Sequence, residues 1–216
     1  MTGLIFDLDG TLLNTLEDLT DATNYALAQF GCPSRTLEEI RRVVGNGAKN
    51  QISKSLPGKA DDPDPDRVLA VYKKYYNDHC QIKTRPYDGI LDALADLSRE
   101  YPVAIVSNKP DTAVKPLCAA HFPGVYALGE TAECPRKPAP DMVYKAMRDL
   151  DVDRCIYIGD SEVDIATAKN AGVPCLSVLW GFRDRDVLEA AGGSWFCENP
   201  EDMPAMIKAM EETYGK

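Results

Sequence analysis

The chain has 216 residues, of which 44% are hydrophobic, and a formal net charge of −10. That length suits one large domain, or one domain carrying a sizeable insertion, around an ordinary core. The excess of acid argues against nucleic acid as a partner, since a polyanion is bound by a basic face, and no apolar run approaches the ~20 residues of a membrane span.

In chain order, Leu4–Leu8 is a short apolar run ending in Asp-Gly and reads as a buried strand followed by a turn. Residues 16–30 place Leu16, Leu19, Ala22, Ala26, Leu27 and Phe30 on one helical face, with Gly31 as the stop. Thr36 and Glu39 form a capping-box pair that opens a second helix reaching Val44. A third helix is expected over 46–56, ended by Pro57-Gly58. The acidic, proline-broken stretch Asp61–Asp66 reads as a solvated turn before a helix at 67–80, rather than as a cation loop.

After Pro86 the rhythm changes. Helices are expected at 88–100, 111–121, 140–150, 164–171, 184–191 and 202–213, and strands at 103–106, 125–128, 155–158 and 173–179. This alternation predicts an α/β fold, a parallel sheet with helices on both faces. Residues 15–82 hold no convincing strand and read as an all-helical insertion. The expected architecture is a Rossmann-like parallel-sheet core, residues 1–14 and 83–216, interrupted after its first strand by a helical cap at 15–82.

Met1-Thr2-Gly3 leads into Leu4-Ile5-Phe6 without the basic start of a signal peptide, so a soluble cytoplasmic protein with no membrane partner is expected. The seven cysteines include no C-x-x-C pair, and the only histidines are His79 and His121. Reduced thiols packed as small hydrophobes are expected, not a disulfide framework or a zinc site.

Ligand sites in open α/β sheets form beyond the carboxyl ends of the strands. The first strand is followed by Asp7, Asp9, Gly10 and Thr11, and the strand at 103–106 by Ser107, Asn108 and Lys109. The segment after 125–128 leads to Arg136-Lys137-Pro138, and the strand at 155–158 to Gly159, Asp160, Ser161 and Asp164. Four strand ends thus deliver carboxylates, a hydroxyl and a lysine to one edge. An acidic protein that handles phosphate needs its field reversed locally, by a divalent cation and a placed lysine.

These segments resemble the haloacid-dehalogenase-like (HAD) phosphatase superfamily. The matches are Asp7-Leu8-Asp9-Gly10-Thr11-Leu12, Ser107-Asn108-Lys109, Lys137-Pro138-x-Pro140 and Gly159-Asp160-Ser161-x-x-Asp164, in order and spanning essentially the whole chain. The stretches Arg136–Asp141, Tyr157–Asp164 and Trp180-Gly181-Phe182-Arg183 are similar to the phosphoglycolate phosphatase branch.

The resemblance implies a Mg2+-dependent phosphatase that takes a small phosphorylated metabolite through an aspartyl-phosphate. Asp7 would attack phosphorus. Asp9 would protonate the leaving alcohol and then activate water, work that needs an elevated pKa from a partly desolvated site near another carboxylate. Mg2+, a hard cation for oxygen ligands, would be held by the Asp7 and Asp160 side chains and the Asp9 carbonyl, with Asp164 supporting the ligands or their waters. Ser107 would donate to the transferring phosphoryl group beside the Asn108 N–H, and Lys137 would offset the charge on Asp7 and phosphate. Gly10 would allow close backbone approach and Thr11 would add a hydroxyl.

Several of these residues carry simpler readings too: an N-cap for Ser107 and for Asp160-Ser161, and a solvated charge for Lys137. In the helical segment, Gly45-Asn46-Gly47 with Lys49 is the candidate contact for an anionic substrate tail, with Lys54 and Arg35 as weaker ones. Arg183 reads equally as a residue of the site mouth or of the surface. Asn14 stands where many relatives carry Asp.

Phosphoglycolate leads the substrates implied. A pyrophosphatase, or a phosphosugar mutase of the β-phosphoglucomutase type, stands as the alternative on the same core. A dehalogenase is disfavoured because C–halogen chemistry does not need Asp9, and a non-catalytic module because every catalytic group is present. Monomer and homodimer are both compatible with the sequence.

Overall fold

A computed structural model describes residues 1–214, and these fall into two compact units: Met1–Leu13 together with the chain from Pro86 onward, and Asn14–Arg85. The short strands β2 (Leu13–Asn14) and β3 (Arg85–Pro86) are where the chain passes between them.

In the first unit, β1 (Thr2–Phe6), β4 (Val103–Pro110), β5 (Tyr126–Glu130), β6 (Arg154–Gly159), β7 (Cys175–Val178) and β8 (Trp195–Cys197) form one sheet in the order β5-β4-β1-β6-β7-β8. Every neighbouring pair is parallel. The expected α/β class therefore holds. β1 lies centrally because Leu4, Ile5 and Phe6 are all fully buried, and only a strand covered on both faces has uses for such a run.

Alternation sorts the two faces. Leu4, Phe6, Ile105, Ile156 and Ile158 pack with Ile90, Leu94 and Leu97 of α5 (Ile90–Leu97), Val114 and Leu117 of α6 (Asp111–His121), and Ile207 and Met210 of α10 (Met203–Tyr214). Ile5, Ala104, Val106, Cys155 and Tyr157 pack instead with Met142, Val143 and Ala146 of α7 (Asp141–Asp149) and Ala168 of α8 (Glu162–Ala171). Phe6 is level with Ile105 on one side and Ile158 on the other, so the carboxyl ends of β4, β1 and β6 line up.

Two expectations need correction, and one strand was not foreseen. Helix α5 begins at Ile90, not residue 88, because Gly89 caps it with φ +81°. β4 continues past the apolar run to Pro110, its ladder to β5 shifting register between Val106 and Pro110, so Ser107 and Asn108 lie within the strand. β8 carried no expectation at all, since three residues after Gly192-Gly193 show no alternation.

The second unit holds α1 (Leu16–Gln29), α2 (Leu37–Val43), α3 (Ala48–Ser55) and α4 (Pro65–His79) around Leu19, Ala22, Leu27, Ile40, Ile52, Val68 and Tyr72. Thr36 and Glu39 form the reciprocal capping box. The acidic turn is structural: Asp62 accepts from the Gly58 and Lys59 N–H groups, and Asp64 caps α4. No helix among the described residues is long and apolar enough to cross a membrane.

Asp18, only 3% exposed, is the polar anchor of this unit. It accepts from the Lys83 and Thr84 N–H groups at 3.0 and 2.8 Å and from the Thr84 hydroxyl at 2.8 Å. Asp18→Ala leaves those donors without their acceptor and is expected to cost about 2–3 kcal/mol in denaturant unfolding, with faster hydrogen exchange at Lys83 and Thr84. Unchanged exchange at both amides would show that Asp18 is not the anchor.

Candidate active site

Asp7 is the first residue beyond β1, and its N–H donates to the Ile158 carbonyl at 2.8 Å, which seats it at the sheet edge between β1 and β6. Its Oδ1 accepts from the Leu8 N–H at 2.6 Å and pairs with Lys137 Nζ at 2.8 Å. Lys137 comes from the segment after β5 and is 2% exposed. The same ammonium reaches Asp164 Oδ1 at 2.7 Å and the Tyr157 hydroxyl at 3.1 Å. Asn108 holds this lysine by its backbone: its Oδ1 accepts from the Lys137 N–H at 2.6 Å, and its Nδ2 donates to the Lys137 carbonyl at 3.2 Å. The expected solvated-charge alternative for Lys137 thus fails on burial.

Asp160 and Asp164 flank Ser161, the N-cap of α8. Asp164 is the third residue of that helix and accepts from the Ser161 N–H and hydroxyl at 3.1 and 2.6 Å, a capping-box arrangement. With Lys137 and the Tyr157 hydroxyl (3.0 Å) added, its two oxygens receive protein donors from four groups. Asp160 Oδ1 accepts from the Thr11 hydroxyl at 3.1 Å, and Oδ2 from the Phe182 N–H at 2.7 Å. Asp7, Asp160 and Asp164 each offer a carboxylate oxygen within 4.8 Å of the others, and all three are buried.

This is too much negative charge for one lysine. Burial, and then the charge of Asp164, push the Asp7 carboxyl well above the usual carboxylate range, although Lys137 pulls the other way. Burial, and then Asp164, raise Asp160 to about 7, opposed by the Phe182 N–H, Arg183 and Thr11. Burial alone would lower the Lys137 pKa; the charges of Asp164 and Asp7 outweigh it and hold the ammonium above its ordinary value. An all-oxygen, buried and under-compensated donor set is what a hard divalent cation such as Mg2+ fits. Asp164 is nearly saturated by protein donors, so Asp7 and Asp160 retain the free oxygen capacity for such an ion.

The Asp9 carboxylate is not part of that group. It faces the Lys109 ammonium at 2.6 Å and the Ser107 hydroxyl at 3.4 Å. Ser107 is 1% exposed and accepts from the Lys109 N–H, which links the two. Gly10 has φ +87°, and a Cβ there would overlap the Asp160 carboxylate. Close backbone approach is therefore required at this residue by a carboxylate of the site itself.

Gly47 and Lys49 belong to the helical unit. Gly47 caps α3 with φ +80°, and Lys49 pairs with Asp66 at 2.8 Å, both side chains well exposed. Arg35 is built into that unit, donating to the Ser55 carbonyl at 2.7 Å, and Asn14 accepts from the Leu16 N–H at 3.4 Å. Arg183 is not a surface residue: it is 8% exposed, forks onto Glu162 at 2.7 and 3.3 Å, and its charge acts on Asp160.

Four contributors went unassigned in the sequence reading: Lys109, Tyr157, Trp180 and Phe182. Lys109 and Asp9 lie 100 positions apart, and Phe182 acts through its backbone, so neither leaves a local pattern. Tyr157 could have been found as a phenol within a strand otherwise buried and apolar, since such a hydroxyl needs a partner.

The chain is similar to several known proteins. A family model described as haloacid dehalogenase-like hydrolase matches residues 4–178. A phosphoglycolate phosphatase of Mesorhizobium japonicum is 34% identical over 197 residues, covering 86% of each chain. An N-acetylmuramic acid 6-phosphate phosphatase of Pseudomonas aeruginosa is 29% identical, covering 84% of this chain and 83% of its own. The crystal structure of a candidate phosphoglycolate phosphatase from Lactobacillus delbrueckii subsp. bulgaricus is 40% identical with a TM-score of 0.86, over 94% of this chain and 96% of that one.

The raised carboxylates set a pH dependence. A group whose pKa is higher folded than unfolded stabilises the fold below its unfolded value, and that contribution is lost as pH rises through the folded value. For Asp160 the window runs from the ordinary 3.8 to about 7, and Asp7 acts in the same direction. In EDTA, the Tm of the wild type relative to Asp160→Asn is expected to fall across that window, and the Tm gain on adding Mg2+ to the wild type to grow. A relative Tm that rises with pH there would contradict the assignment.

Proposed function

The chain belongs to the haloacid dehalogenase-like hydrolases, and from that premise we propose that it is a cytoplasmic Mg2+-dependent phosphatase acting on a small phosphate monoester through an aspartyl-phosphate at Asp7. The observation that carries the reading is the buried group of Asp7, Asp160 and Asp164 around Lys137.

Lys137 and the Leu8 N–H both engage Asp7 Oδ1, which orients the carboxylate and leaves Oδ2 with no donor among the described residues. The Asp7 carboxylate attacks phosphorus, forming an O–P bond as the bond to the ester oxygen breaks. Asp9 gives a proton to the departing alcohol; it then takes one from the water that attacks the same phosphorus, so that phosphate leaves and the Asp7 carboxylate is restored. The Ser107 hydroxyl and Lys137 stand beside these carboxylates as donors for the charge that develops on the phosphoryl oxygens. Asp7 and Asp160, with the Asp9 carbonyl, would hold Mg2+, which when bound supplies the positive charge that lets a phosphate dianion enter an acidic pocket. Asp164 orients that set from its four-donor position.

Likeness to a phosphoglycolate phosphatase supports 2-phosphoglycolate as the substrate, with the helical unit choosing the leaving group. Likeness to an N-acetylmuramic acid 6-phosphate phosphatase supports a sugar phosphate as the second reading. A phosphate-release panel of phosphoglycolate, sugar phosphates, pyrophosphate and nucleotides, with and without Mg2+, separates them. Free phosphate released from phosphoglycolate only with Mg2+ is expected, and a sugar isomer formed in place of phosphate would mean a mutase. Asp7→Asn is expected to lower turnover by about a thousandfold or more; turnover within tenfold of wild type would remove Asp7 as the nucleophile.

A further inference from the structure

We propose that the segment after β7, Trp180-Gly181-Phe182-Arg183, is a clamp that fixes the Asp160 carboxylate and thereby sets the affinity of the acidic site for Mg2+. This rests on the metal-dependent reading above and extends it to residues that touch neither phosphate nor Asp7.

Five contacts carry it. The Phe182 N–H donates to Asp160 Oδ2 at 2.7 Å. Trp180 Nε1 donates to the Thr11 carbonyl at 2.9 Å, and the Thr11 hydroxyl in turn donates to Asp160 Oδ1 at 3.1 Å. A Cβ on Gly181 would overlap the Asp160 side chain and lie 2.5 Å from the Gly10 carbonyl oxygen, so the clamp backbone lies directly against both loops. Arg183 forks onto Glu162, in the first turn of the helix that follows Asp160. The loops after β1, β6 and β7 are thus closed into one ring, Trp180 to Thr11 to Asp160 to Phe182.

The chemistry of that ring suits a ligand more than a plain structural carboxylate. Each Asp160 oxygen receives one protein donor, on opposite sides, and a carboxylate oxygen has a second lone pair left to offer. The side chain is held in one orientation without being saturated, unlike Asp164. Contacts that orient a metal ligand typically govern metal affinity by about 10–100-fold. Gly181 has no Cβ to keep the segment away; an alanine there must displace either Asp160 or the clamp.

The test uses the full chain as wild type, Trp180→Phe and Gly181→Ala, titrated with MgCl2 in a calorimeter without substrate, with Tm in EDTA as the control for folding. Trp180→Phe keeps an aromatic ring while removing the indole N–H and part of the ring volume, so it decides the matter if Gly181→Ala does not fold. Mg2+ affinity is expected to fall by about tenfold or more in Gly181→Ala and by at least about threefold in Trp180→Phe. The Mg2+ concentration for half-maximal turnover should rise in parallel, so that excess Mg2+ recovers activity. Folded variants that bind Mg2+ as the wild type does overturn the clamp and leave the phosphatase reading standing. A wild type that shows no saturable Mg2+ binding overturns that reading, and the clamp with it.

Discussion

The Lys137 ammonium, buried between Asp7 and Asp164 at 2.8 and 2.7 Å, is the interaction on which the rest of the site depends. At an effective dielectric of ~20, two unit charges at 4 Å attract by about 4 kcal/mol, while each buried ion gives up several kcal/mol of hydration. One ammonium can offset one carboxylate well. It cannot offset three, and Asp160 is the third. The surplus has two outlets, protonation or a divalent cation, and it shifts Asp7 and Asp160 upward.

The fold exists around that constraint. A parallel sheet with β1 at its centre aligns the ends of β4, β1 and β6, so residues more than 150 positions apart in sequence meet at one edge. Asn108, on β4, grips the Lys137 backbone and keeps the ammonium aimed at β1. The α8 N-terminus supplies Ser161 to fix Asp164, and Tyr157 comes up from β6 beneath it. Tyr157 lies within β6 and Ser161 caps α8, whereas Leu8, Thr11, Lys137 and Phe182 reach the carboxylates from the loops beyond the strand ends.

How much of this could be read in advance follows from the range of each interaction. The apolar run Leu4–Leu8, the capping box at Thr36 and the strand–helix alternation after Pro86 are local patterns, and they placed most elements to within a few residues. Asp7, Lys137 and Asp160 were legible because each follows a strand run in a short distinctive frame, and the sheet brings those three together. Lys109 was visible as part of Ser107-Asn108-Lys109 but had no role until Asp9 was found facing it. Asn108 was expected to bring its backbone N–H beside phosphate; the grip of its side chain on Lys137 was not foreseen. Lys49, expected to meet an anionic substrate, pairs with Asp66 on the surface of its own unit. Contacts made by a backbone N–H or by the lack of a Cβ, as at Phe182 and Gly181, have no one-dimensional signature at all.

The claim that the lysine-held carboxylate of Asp7 is the phosphoryl acceptor can be tested directly on the peptide that contains it. Mixing enzyme with phosphoglycolate and Mg2+, quenching in acid within the first turnover and mapping the product by mass spectrometry should find a phosphoryl adduct on Asp7. The account predicts that adduct with Mg2+ and none in EDTA. Phosphate released at full rate with no adduct on Asp7, or with the adduct on another residue, would contradict it.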